Sequence, residues 1–248
     1  MLLYGTLGLC ALAAVCLVYR YDMYDREPWY MVVLALLLGM GIMWLVGVVE
    51  AWSYRLLAHH MLSNAVAAAV PATQEEAARL IVVIAIALTL RRQFNDPMDG
   101  IIYGSLVGLG MAVTESIVFL RHHETAGALL PGTEVVRVCG HLAMGGITGF
   151  AVGMARLKMK GWWWALAVCL AVSMGIHFFW DWIAFEAGAT GRMSATQSVS
   201  AAALLLFGMV FYGALVVKAS AWSREIFGAD GPQRLWGWPF TLLHRSRS

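Results

Sequence analysis

Three stretches of this chain, residues 2–18, 30–49 and 201–217, are almost unbroken runs of apolar side chains. A helix rising about 1.5 Å per residue needs roughly 20 such residues to cross a hydrocarbon core of about 30 Å, and these runs approach or reach that length. Soluble cores rarely hold even one. With 248 residues, 60% of them hydrophobic and 13% charged, the chain has more apolar surface than a soluble domain of its size can bury. The expectation is an all-α, polytopic transmembrane helical bundle whose remaining apolar surface is covered by lipid.

Hydropathy divides the chain into about seven spans, at 2–18, 30–51, 73–90, 98–120, 138–155, 162–185 and 199–217. Residues 56–72 are semi-apolar, rich in Ala and Val and ending near Pro71. They read as a surface helix, a re-entrant helix or an eighth crossing, which sequence alone leaves open. Residues 1–220 form one transmembrane domain with a core at 73–186, followed by a tail at 221–248. In that tail Trp236, Trp238 and Phe240, ahead of Arg245 and Arg247, resemble an interfacial anchor, with an ordinary disordered tail as the alternative. The first run has no basic residue before it and Arg20 after it, so it reads as a retained span.

Charge sets an orientation. Of the 17 Lys and Arg, twelve fall in the first, third and fifth loops (Arg20, Arg26, Arg91, Arg92, Arg156, Lys158, Lys160) and in the tail, and four in the other loops. The positive-inside rule then places the N-terminus outside and the C-terminus in the cytoplasm of a cell-membrane protein. Basic residues clustered at span ends are not the footprint of a nucleic-acid binder. The four cysteines, Cys10, Cys16, Cys139 and Cys169, have no CxxC or zinc-finger spacing and read as small buried hydrophobes.

An ionisable side chain within a span costs on the order of 3 kcal/mol on insertion scales, so each marks a candidate functional site. With Glu50 and Asp99 set aside at span edges, the candidates are Glu75, Glu76, Arg79, Glu115, His141, His177 and Asp181. Counting about 1.5 Å per residue from the nearest loop arginine or lysine puts Glu76 about 22 Å from the cytoplasmic side and His177 about 25 Å from it. The same count puts Glu115 about 9 Å and His141 about 6 Å from the outer side. Four helices thus present polar groups at one depth in the outer leaflet. His177 and Asp181 share a helix face, where the carboxylate can accept the imidazole N–H. Arg79 is one turn from both Glu75 and Glu76, so one glutamate can pair with it while the other faces the site; spacing does not say which. Gly100, Gly104 and Gly108, and Gly145, Gly149 and Gly153, form small-residue stripes that let two helices approach closely.

Neighbouring carboxyls in a medium of low dielectric titrate apart, which suits one to take a proton from water while its partner stays protonated. The histidines can then donate to the oxyanion of a tetrahedral intermediate, and the peptide bond is the abundant hydrolysable group in a membrane. No GxSxG or HExxH motif is present. Two other functions fit intramembrane Glu and His: a proton-coupled transporter, which needs polar groups through the full thickness, and a non-catalytic protein that shields a partner helix.

Glu75-Glu76-Ala77-Ala78-Arg79, then Phe94-Asn95-Asp96-Pro97-Met98-Asp99-Gly100, then Gly108-Leu109-Gly110-Met111 leading to Glu115, resemble the PrsW family of intramembrane proteases, relatives of the CAAX-prenyl endopeptidases. Tyr24-Asp25-Arg26-Glu27-Pro28-Trp29, His141 and His177-Phe178-Phe179-Trp180-Asp181 extend the resemblance over about residues 20 to 185. It departs at two places, with Arg79 where the family has Lys and Met111 where it has Phe. The resemblance implies a glutamic-type protease with Glu75, Glu76, Glu115, His141 and His177 as its catalytic set, supported by Arg79 and Asp181. It also implies a single-span membrane protein substrate, such as an anti-sigma factor, cut near the extracytoplasmic face. No cofactor is expected in that mechanism, with zinc on the carboxylate and imidazole ligands as the variant.

Overall fold

In a bilayer every backbone N–H and C=O must find a partner within the protein, and a chain without closed sheets meets that demand only with helices. A computed structural model describes residues 2–20, 22, 24, 26–57, 63–122, 129–190 and 192–227. It contains seven helices and, among the described residues, no strand: α1 (Leu2–Tyr19), α2 (Trp29–Leu57), α3 (Asn64–Thr89), α4 (Pro97–His122), α5 (Gly132–Arg156), α6 (Trp162–Thr190) and α7 (Ala195–Phe227). Six of them are long and apolar enough to cross a membrane. The exception is α3, which carries Glu75, Glu76 and Arg79 and buries all three inside the bundle. The protein is an all-α, polytopic membrane bundle.

The stretch that allowed several sequence readings belongs to α3. Ser63 caps the helix by accepting a hydrogen bond from the Val66 N–H at 3.3 Å, and the helix runs on through Pro71. Among the described residues there is thus neither an eighth crossing nor a separate surface helix. A proline inside a helix has no N–H for the carbonyl four residues earlier, here that of Ala67. The Tyr54 hydroxyl of α2 donates to that carbonyl at 2.9 Å. An orphaned acceptor is satisfied, and the end of α2 is tied to the start of α3. The proposed anchor around residues 235–243 lies outside the described residues.

The buried axis of the bundle is α4, flanked by α2 and α5. A Cβ on Gly104 would run into the Gly145 carbonyl and lie 2.9 Å from Gly149 Cα, and one on Gly100 would lie 2.9 Å from Gly153 N. The two glycine stripes therefore bring the α4 and α5 backbones into direct contact, as small-xxx-small patterns do in membranes. On the opposite face of α4, a Cβ on Gly110 would lie 2.9 Å from Met40 N of α2. Gly108 meets the backbone carbonyl of His141, so this close approach also sets where a candidate site residue stands.

The loops sort into two ends. Arg156 donates to the Arg91 carbonyl at 3.3 Å and Ser223 bonds Asp96, which gathers the third loop, the fifth loop and the end of α7 at one end. At the other, Asn64 donates to Glu186 at 2.9 Å, joining the α2–α3 connection to the end of α6. The alternation matches the loop grouping used for the charge count.

Candidate active site

Four helices, α3, α4, α5 and α6, converge on one cluster. From α3, adjacent residues point about 100° apart, so Glu75 and Glu76 face different neighbours. Glu76, fully buried, forms the ion pair with Arg79 one turn on, and its Oε1 lies 3.0 Å from His177 Nδ1 of α6. Glu75 faces the other way, and its Oε2 stands 3.9 Å from both His141 Nε2 of α5 and His177 Nε2. That choice between the two glutamates was open in the sequence. That oxygen is buried and has no hydrogen-bond partner among the described residues.

The imidazoles are held from behind. Arg79 Nη2 is 2.9 Å from His141 Nδ1. A guanidinium can only donate, so Nδ1 is the acceptor and the neutral ring carries its proton on Nε2. Nε2 is also 3.2 Å from Glu115 Oε2 of α4. His177 turns Nδ1 to Glu76 and leaves Nε2 near Glu75 and, at 3.4 Å, near Asp181 Oδ2. The imidazole thus makes its closest contact with a carboxylate of another helix; Asp181, expected to orient it, is the more distant. The two rings stand edge to face, 5.4 Å between centroids. All seven residues singled out from the sequence therefore meet in one place.

The cluster opens onto a cavity of about 550 Å³ lined by Glu75, Glu115, His141, His177 and Asp181, together with Glu50, Tyr54, Arg137, Phe119 and Trp180. Glu76 and Arg79 are not on its wall; each contacts an imidazole that is. Two residues were misplaced by the sequence reading. Glu50, set aside at a span edge, lies well inside α2 because that helix runs to Leu57. Its seven-residue spacing from Met43, also on the wall, was the available signal. Arg137, used as an outer-loop marker, lies inside α5. There it pairs with Glu134, reaches Glu115 at 3.1 Å and covers the Phe119 ring at 5.1 Å.

Glu75, His141 and His177 also place one donor atom each within 4.8 Å of one another. Three protein ligands with an open position is the count found in catalytic zinc centres, and an imidazole backed by a carboxylate, as His177 is by Glu76, is their usual support. The set fits a divalent ion in number, chemistry and spacing. His141 fits with one condition, since Nε2 must give up the proton that Arg79 keeps there.

Fold and site together define a polytopic membrane protein with a buried carboxylate–imidazole centre open to a cavity. The family sequence model described as "PrsW family intramembrane metalloprotease" matches residues 27–217, and the chain belongs to that family and is a membrane protease. It is 28% identical over 170 residues to Protease PrsW of Bacillus subtilis (strain 168), covering 66% of this chain and 74% of that protein. It is 34% identical over 95 residues to Protease PrsW of Geobacillus kaustophilus (strain HTA426), covering 37% of this chain and 40% of that one. No solved structure matches the chain.

Proposed function

We propose that this protein is an intramembrane endopeptidase that cuts a single-span membrane protein near the extracytoplasmic face, with Glu75 activating the attacking water. The observation that carries the reading is the Glu75 Oε2 atom, buried, without a hydrogen-bond partner among the described residues and 3.9 Å from two imidazole nitrogens on the wall of a cavity. Glu75 takes a proton from water as the oxygen bonds to the scissile carbonyl carbon. The Nε2–H of His141, fixed by Arg79, and that of His177 when protonated, are the donors for the oxyanion that forms. Collapse of the intermediate breaks the C–N bond, and the proton held by Glu75 passes to the leaving amine. Glu76 keeps His177 in place and Arg79 does so for His141, while Glu115, tied to Arg137, stands 3.2 Å from His141 Nε2 and yields that N–H to the oxyanion.

A metal-dependent form of the same reaction is the second reading, favoured by the spacing of Glu75, His141 and His177 and by the family description. An ion held there supplies Lewis acidity to water and to the carbonyl oxygen.

The test is co-expression with tagged single-span reporter proteins, comparing wild type with Glu75→Gln. A product cut near the outer face by wild type and absent with the variant supports the reading; equal cleavage by both, or cuts at the cytoplasmic side, overturns it. With purified protein, loss of cleavage in chelator and recovery with zinc would replace the metal-free form by the metal-dependent one.

A further inference from the structure

The cavity carries four carboxyls, Glu50, Glu75, Glu115 and Asp181, against one guanidinium, Arg137. Three of the four have neighbours of their own. Glu115 pairs with Arg137 at 3.1 Å, Glu75 lies between two imidazoles and Asp181 lies 3.4 Å from His177. Arg137 is already divided between Glu115 and Glu134. Glu50 has no ion pair or hydrogen bond among the described residues, and its Oε1 is buried. A carboxylate within a membrane span is normally paired or set at a water-filled cavity, and it marks where a ligand passes. Glu50 stands on the cavity wall with no such pair among the described residues, and Arg137, the one guanidinium there, is already engaged.

Position narrows what a cation meeting Glu50 would belong to. Glu50 is seven residues from the end of α2 and Glu75 eleven from the start of α3, both at the end of the bundle where those helices connect. At about 1.5 Å per residue the depths are about 10 and 16 Å, so Glu50 stands about 6 Å nearer that end. An extended chain covers about 3.3 Å per residue, which makes the offset about two residues. On the orientation argued from charge, that end is extracytoplasmic.

We propose that Glu50 is a specificity subsite for a cationic side chain, a Lys or Arg of the substrate lying within about three residues of the scissile bond on its extracytoplasmic side. The proposal rests on the proteolytic reading above. A lysine or arginine there pairs with Glu50 as the bond reaches Glu75, whereas an acidic residue meets four carboxyls and is rejected by like charge.

The experiment uses the full chain, co-expressed with a reporter protein of one leucine-rich span whose cut site has been mapped. Lys, Gln or Glu is placed at each of the three positions on the extracytoplasmic side of the cut, and cleavage is read as a ratio between reporters within one enzyme variant, so differences in expression cancel. Wild type should cut the best-placed Lys reporter at least about tenfold faster than its Glu counterpart. Glu50→Gln should bring that ratio to within about twofold, and Glu50→Lys should invert it. Cleavage by wild type that is blind to charge, or a Glu50→Lys variant that keeps the preference for Lys, overturns the subsite and leaves the proteolytic reading standing. No cleavage of any reporter by wild type overturns both.

Discussion

Arg79 offers the sharpest test of how the site is held together. Its side chain and that of Glu76 are both fully buried and ion-paired, and its second nitrogen is bound to His141 Nδ1 at 2.9 Å. Replacing it by Met leaves the Glu76 carboxylate in the bundle interior with His177 as its remaining neighbour at 3.0 Å. Breaking a buried pair by removing one partner costs about 3–5 kcal/mol, because the other charge stays desolvated. At about 1.4 kcal/mol per tenfold, the folded-to-unfolded ratio should fall by a factor between about 10² and 10⁴. Glu76→Gln should cost a similar amount by stranding the guanidinium. The double variant Glu76→Gln with Arg79→Met removes both charges and should cost less than either single change, a coupling of about 3 kcal/mol or more. Reversible unfolding of the detergent-solubilised protein, followed by circular dichroism, measures all three. Single variants that each cost under about 1 kcal/mol, or a double variant equal to their sum, would refute the argument that this pair is a desolvated unit.

Further outcomes follow from the same contacts. Tyr54→Phe removes the donor to the Ala67 carbonyl that Pro71 leaves free, and should destabilise by about 1–2 kcal/mol. The loss should be smaller in a Pro71→Ala background, where the restored N–H can take that carbonyl, and thermal unfolding of the four proteins decides it. Gly104→Ala inserts a methyl where α4 and α5 touch and should cost about 1–3 kcal/mol in the same assay, whereas Gly5→Ala on α1, which has open space around it, should be close to neutral. Glu75→Gln should lower cleavage by about 10²-fold or more with unfolding unchanged within about 1 kcal/mol, since its buried Oε2 has no hydrogen bond to lose among the described residues.

Much of this protein was legible in one dimension. Apolar runs long enough to cross a bilayer determined an all-helical bundle, because lipid offers no partner to an unpaired backbone group. The cost of charge within those runs picked out Glu75, Glu76, Arg79, Glu115, His141, His177 and Asp181, and the structure brings every one of them to a single cluster. The glycine stripes foretold where α4 and α5 meet, since a missing Cβ matters only where another backbone takes its place.

Tertiary structure decided what periodicity could not. Glu75 and Glu76 are equivalent by spacing from Arg79, and only the placement of α6 gives Glu76 to the arginine and leaves Glu75 to the cavity. Residues 64–72 joined α3 in spite of Pro71 because a hydroxyl from α2 takes the orphaned carbonyl, a contact made between helices and invisible in local pattern. Hydropathy windows end where polar residues begin, so Glu50 and Arg137 were read as boundaries. The helices continue past both, and the neighbours that receive those side chains come from other parts of the chain.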